Sequence, residues 1–347
     1  MDEIIYTTPE EQVDKLLSQH MIVHNRSYAE NQLRTCGYFN LIKSYRDPYM
    51  ITVDGQKVYR AGITFEHVES LYILDKNLRN AVMSAMQDLE EHIKEAAADV
   101  ISSSFGIHQD DYMQFRNYRD KFKRKRRFTL AGILEKMNEA LDTDKDPIAH
   151  YVSEHDIVPP WILFKSLYFT TIVNFIHQFK PAEQRKMVER LYAPGALGIA
   201  EEDLPKFMMS SLFACQEYRN IAAHGGRVYN YEPQHAPFLK ELDPSLHGLS
   251  ILTLVLSALK YKAPYEILDK TLNAELNRHC NQFPEDVTYL SHILNLDISV
   301  RTVVWSSEKS TKYHSNPHCS GLMNAQKIEL SSATERGLTP CKRCCKQ

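Results

Sequence analysis

A chain of 347 residues is long enough to bury a substantial core, in one elongated or two compact domains. Its 43% hydrophobic and 24% charged residues and formal net charge of -3 exclude a disordered chain and a disulfide miniprotein, and any basic surface has to be local. Only 12 glycines, beside abundant Leu, Ala, Glu and Lys, weigh against a turn-rich β-sandwich or barrel.

The acidic start, MDEIIYTTPEE, has no cationic-then-apolar leader, and the most apolar stretch, residues 249–259, is too short to cross a bilayer. Both points predict a cytoplasmic protein with no membrane partner. Thr8-Pro9-Glu10-Glu11 predicts a helix start: Thr8 caps, Pro9 occupies the first turn and Glu11 completes a capping box. Val53, Val58 and Tyr59 around Asp54-Gly55 predict a small hairpin. From Leu71 the apolar residues recur three or four apart through Leu74, Leu78, Val82, Ala85, Leu89, Ile93, Ala97 and Val100, which predicts one long amphipathic helix ending near Phe105-Gly106.

Residues 116–128, RNYRDKFKRKRRF, concentrate Arg116, Arg119, Lys123, Arg124, Arg126 and Arg127 with two further lysines against a single acid, Asp120. Such a run is ordinarily a solvated face. Here Tyr118, Phe122 and Phe128 interleave with the cations, the composition that grips a phosphate backbone and stacks bases, so the segment is a candidate RNA track. Pro159-Pro160-Trp161 resets the chain. After it come an apolar helix over residues 162–179, a charged one over 182–191, and a long one over Leu204–Ala223 with Phe207, Ser211, Leu212, Cys215, Tyr218 and Ala222 on one stripe. Gly225-Gly226 stops it, and helices over residues 249–259 and 265–280 complete the array.

From about Val300 the texture changes to strand-like RTVVWSS and KIELSS, a short helix stopped by Gly337, and PCKRCCKQ. Cys36, Cys215 and Cys280 are scattered in apolar contexts, as reduced core thiols are. By contrast, His314, Cys319, Cys341 and Cys344 form His-x4-Cys and Cys-x2-Cys pairs at the spacing of a closed structural Zn²⁺ site. His318 competes with His314, and Cys345 with Cys344. A redox CxxC or a flexible tail is the plainer alternative. The chain is therefore expected to be mainly α over residues 1–297, with a small α+β zinc-binding module over 298–347.

Residues 215–230, CQEYRNIAAHGGRVYN, carry the most chemistry. Arg219 and His224 lie five positions apart, about 140° around a helix, and Asn220 and His224 can stack on one face. Histidine exchanges protons near neutrality, while arginine holds phosphate oxygens and neutralises charge building at phosphorus. Together they suffice to cleave RNA: the ribose 2′-OH is deprotonated, attacks phosphorus and expels the 5′-oxygen, with no metal. Taken alone, Arg-x4-His recurs by chance about once in a chain of this length.

The extended string RNIAAHGGRVYN resembles the RNxxAHxxRxxN signature of the HEPN superfamily of helical nucleases, as found in the bacterial Abi-like (abortive infection, AbiD/AbiF-type) proteins. GYFNLIKSYRDPY at 37–49, TFEHVESLYILDKNLRNAV at 64–82, Glu90 with Lys94, and the Pro-Pro-Trp at 159–161 are similar to further blocks of that family in the same order. The resemblance implies a HEPN-type helical bundle and an anti-phage endoribonuclease. Arg219 and His224 would be its catalytic pair, and Asn220, Arg227, Asn230 and Glu90 would support them. One motif per chain implies a homodimer, in which two motifs face each other, and the family context implies an antitoxin or a phage-derived trigger as a partner. A non-catalytic RNA-binding module that holds a noncoding RNA is the alternative. The sequence departs from the family at Lys94, Tyr229 and residues 167–171, LYFTT, which affects packing and substrate contacts rather than the catalytic side chains.

Overall fold

The computed structural model describes residues 5–345 except 122, 194, 196–197, 236 and 299–302. Phe122 of the basic run, the first four residues and most of the stretch joining the tail to the helices therefore lie outside the described residues. The fold is mainly α, as expected, and no described helix is long and apolar enough to cross a membrane. Contacts divide the chain into two units, one of residues 1–74, 273–292 and 296–347, the other of 75–272 and 293–295.

In the first unit, Thr8 caps Pro9–Ser18 through a complete capping box with Glu11. The predicted hairpin pairs Met50–Val53 with Gln56–Tyr59, and Asp54 and Gly55 both take positive φ at its turn, as a two-residue connection requires. Tyr49, fully buried, donates to the Asp286 carboxylate at 2.6 Å, and His279 lies 3.0 Å from the same oxygen with its other nitrogen 2.9 Å from Ser70. This network satisfies the buried polar groups of Tyr49, Ser70, His279 and Asp286.

The long helix runs Phe65–Phe105, six residues longer at its start than the apolar stripe suggested. In the second unit, the expected stripe of Leu204–Ala223 is buried throughout, and Tyr218 ties it to the Gly248 carbonyl at 2.7 Å. Burial pushes the Cys215 thiol up to about 12 and that of Cys280 up to about 11, so both are inert core groups, whereas Cys36 is only half-buried. One expectation fails. Residues 162–179 are not a single helix but Pro160–Leu163, a 3₁₀ turn at Phe164–Ser166 and Phe169–His177, with Leu167 and Tyr168 extended between them. No Pro or Gly marks this break.

The described tail pairs Val303–Ser306 antiparallel with Gln326–Glu329 and Lys312–Tyr313 parallel with Thr339–Pro340, around the short helix Leu330–Glu335. Both predicted strands and the helix stop at Gly337 are present.

Candidate active site and metal site

The motif helix ends on a Schellman cap. Gly226 N–H donates to the Ile221 carbonyl at 2.9 Å and Gly225 N–H to that of Ala222 at 3.2 Å, with Gly225 at φ +71°, where a side chain would be strained. His224 is the last, exposed residue of this end, and Arg219 and Asn220 are half-buried one turn earlier. The chain leaving the cap is held from the long helix. The fully buried Asp75 carboxylate accepts the N–H groups of Val228 and Tyr229 at 2.9 and 2.8 Å, and Arg79, one turn on, donates to the Gly225 carbonyl at 2.7 Å. Two residues of the DKNLR string thus fix the motif loop by its backbone. Sequence reading missed both, although an Asp and an Arg four apart among the apolar repeats of 71–82 are the signal that marks them.

Arg219, Asn220 and His224 line one pocket of about 510 Å³, and Lys125, Arg127, Lys136 and Phe128 line the same pocket. Among the described residues no acidic side chain lines it. The basic run and the motif, separated by about ninety residues of sequence, therefore meet at one site. Neither the Arg219 guanidinium nor the His224 ring has a hydrogen-bonded or ionic partner among the described residues, so both are available to a ligand.

The basic segment has little regular structure, and its backbone is secured by Gln178, fully buried at the end of Phe169–His177. The Gln178 carbonyl accepts Arg119 N–H at 2.7 Å and its side-chain oxygen accepts Lys121 N–H at 2.9 Å. At the other end, the turn Arg126–Phe128 lies so close to Leu130–Leu141 that a Cβ on Gly132 would meet the Arg126 carbonyl oxygen at 2.3 Å. The six candidate cations divide. Arg127 lines the motif pocket; Lys123 and Arg124 line a neighbouring pocket of about 330 Å³; Arg126 pairs with Glu135; Arg116 and Arg119 line neither. Lys125, which was not singled out, lines both pockets. Tyr118 is a correction. It is 5% exposed and packs on Phe105, Phe175 and Phe179, so it anchors the segment in the core and is closed to a base.

Of the other supporting candidates, Glu90 is paired with Lys94 at 2.8 Å, and neither it, Arg227 nor Asn230 lines the motif pocket. Glu217, on the motif helix, accepts from Tyr231 at 2.8 Å, Gln234 N–H at 2.8 Å and His235 N–H at 2.7 Å. Burial alone would raise its carboxyl, but the hydrogen bonds from Gln234, Tyr231 and His235 outweigh it and hold the group below its ordinary value.

In the tail, the donor atoms of His314, Cys319, Cys341 and Cys344 all lie within 4.8 Å of one another and could hold a metal ion. Tetrahedral ligands at about 2.3 Å from a metal stand roughly 3.8 Å apart, so the cluster has the right size. His314 is buried and His318 exposed, while the Cys345 thiol turns to the Tyr313 carbonyl at 3.6 Å, away from the cluster. Burial opposes charge on Cys344, yet the N–H groups of Asn316 and Ser315, with Cys319 and His314, hold its thiol down to about 6.

Residues 31–230, more than half of the chain and including the whole motif, match the Abi-like protein family, and the chain belongs to that family. Membership implies a role in abortive infection, the anti-phage response from which the family takes its name. No curated protein and no solved structure gives a match.

Proposed function

We propose that the chain is a HEPN-type, metal-independent endoribonuclease acting in abortive infection. The observation that carries this reading is the acid-free pocket in which Arg219, Asn220 and His224 share a surface with Lys125 and Arg127. An unpaired guanidinium beside an exposed imidazole can hold a phosphodiester and exchange a proton with the neighbouring ribose hydroxyl. His224 takes the 2′-OH proton as the 2′-oxygen bonds to phosphorus. The 5′-oxygen leaves with a proton, giving a 2′,3′-cyclic phosphate and a 5′-hydroxyl. Arg219, Lys125 and Arg127 offset the charge that gathers on the phosphoryl oxygens. In a homodimer a second motif faces the first and supplies the acid for the leaving group. An antitoxin or a phage-derived trigger would set when the pocket is open.

For the tail we propose structural Zn²⁺, because three thiols and one imidazole in a closed set suit that ion and leave no open position for chemistry. The tail is then a separately removable module from about residue 298, and the rest of the protein is expected to stay folded without it.

The test is cleavage of end-labelled single-stranded RNA in excess EDTA, with the 2′-deoxy strand and the His224→Ala protein alongside. RNA-only cutting that leaves a cyclic phosphate and vanishes in the variant is expected. RNA bound tightly but never cut would overturn the nuclease reading and leave a binding module.

A further inference from the structure

The motif pocket does not stand alone. It shares Lys125, Phe128 and Gln216 with the 330 Å³ pocket on one side, and Lys136, Tyr168 and Thr171 with a pocket of about 570 Å³ on the other. Three adjoining pockets that share lining residues in this order form a row, taken here as one groove, with Arg219 and His224 lining its middle pocket. Each volume falls in the range of about 300–1,000 Å³ that holds a compact ligand, so each accommodates a nucleotide-sized group.

The groove's charge is local. Eight Lys or Arg and three Asp or Glu line the three pockets, in a chain whose formal net charge is -3. Lysines continue past the motif pocket, at Lys136, Lys145 and Lys165 on one arm and Lys123 on the other, as a polyphosphate running through would need and a single small anion would not. At the junction of the motif pocket with the larger arm stands Tyr168. It is 75% exposed, and its backbone is fixed because its carbonyl accepts Thr171 N–H at 2.8 Å and Ile172 N–H at 3.1 Å at the start of Phe169–His177. An exposed ring on a rigid turn between two basic pockets is the arrangement that stacks a base while the backbone tracks the cations.

We infer that the groove is a path for single-stranded RNA at least three nucleotides long, with the scissile phosphate in the central pocket and Tyr168 stacking the base next to it. This rests on the ribonuclease reading for the identity of the centre, but the path can be tested without cleavage. The probe is a single-stranded nonamer with 2′-fluoro in place of every 2′-hydroxyl and one 2-aminopurine at successive positions, bound to the full chain. In parallel, cleavage of the matching unmodified RNA is followed. Melting temperature and mass in solution are recorded for every variant.

Tyr168→Ala is expected to weaken nonamer binding at least fivefold and to abolish quenching of the 2-aminopurine at one position, and Tyr168→Phe to retain both. On unmodified RNA the same variant should raise KM more than it lowers kcat. Lys136→Gln, at the same junction, should weaken nonamer binding and lower its salt dependence. Binding and quenching by Tyr168→Ala equal to those of the starting protein would overturn the path, even if His224→Ala abolishes cleavage. Lost binding accompanied by a changed mass would also overturn it, by assigning Tyr168 to a subunit interface. Intact quenching that depends on Tyr168, in a protein that cuts no RNA, would sink the ribonuclease reading and keep the path.

Discussion

Among the described residues, the Arg219 and His224 side chains of the motif pocket have no internal partner and are fixed through the backbone, whereas the tail turns four donor side chains on one another. In the first case the cap at Gly225 and the Asp75 and Arg79 contacts hold the chain, so that side chains stay available for something that arrives. In the second, His314, Cys319 and Cys341 are buried and the tail has little other core. A pocket with free side chains and a cluster closed on itself therefore differ in which atoms satisfy which. Perturbing each should produce opposite signatures.

The largest effect belongs to the tail. Structural zinc contributes about 10–16 kcal/mol of apparent binding energy in comparable small sites. Cys341→Ser or a strong chelator is expected to strip the metal and abolish protection of amide hydrogens over Val303–Ser306 and Gln326–Glu329. The helical far-UV signal and cleavage of RNA should persist. Hydrogen exchange with mass spectrometry reads both regions in one experiment, and a chelated protein whose helices melt as well would erase the contrast.

At the motif the expected signature is lost activity with stability unchanged. His224→Ala should lower the cleavage rate about 10²–10⁴-fold, because a general base at a phosphodiester contributes that much, and its melting temperature should stay within a degree or two. Arg219→Lys should not restore the rate of Arg219→Ala, since an ammonium cannot hold two phosphoryl oxygens in a fork.

The backbone clamp sits between these extremes. Asp75→Ala leaves the N–H groups of Val228 and Tyr229 buried and unpaired, at a cost of about 3 kcal/mol. It should depress both melting temperature and activity. Asp75→Asn retains an acceptor and should recover part of each. Gly132→Ala should cost about 1–3 kcal/mol, because the backbone of the turn Arg126–Phe128 has to move away from the new Cβ. As that turn carries Arg127, RNA binding should weaken more than the melting temperature falls.

Most of the helical frame was legible because the 3.6-residue repeat and the caps at Thr8, Gly106, Gly225 and Gly337 agree with the packing. The His/Cys cluster was legible from spacing alone. What the sequence concealed depends on long-range geometry. Lys125 and Arg127 line one pocket with Arg219 in a segment whose backbone is held at Gln178 and packed on Gly132. Tyr118 reads as one more interleaved aromatic, yet it faces the core because the segment turns there. The break at Leu167-Tyr168 carries no Pro or Gly, so an apolar run that packs in two pieces reads as one helix.

The finest test concerns that irregular segment. Burial first, and then Lys121, Lys123 and Arg119, push His177 down to about 3. Its ring packs edge-on against Phe213, and its Nδ1 is buried without a partner. An unfolded histidine titrates near 6.5, so the native chain stays neutral there while the unfolded chain takes up a proton. Stability from this residue is therefore complete above about pH 6.5 and is lost as pH falls toward 3. His177→Phe should flatten the fall in melting temperature between pH 7 and pH 5 by the contribution of one proton, and an unchanged slope would show that His177 is solvated. A polyanion over the basic segment offsets Lys121, Lys123 and Arg119, so the uncleavable nonamer should raise the His177 titration midpoint measured by NMR. A ligand bound elsewhere would leave that midpoint in place.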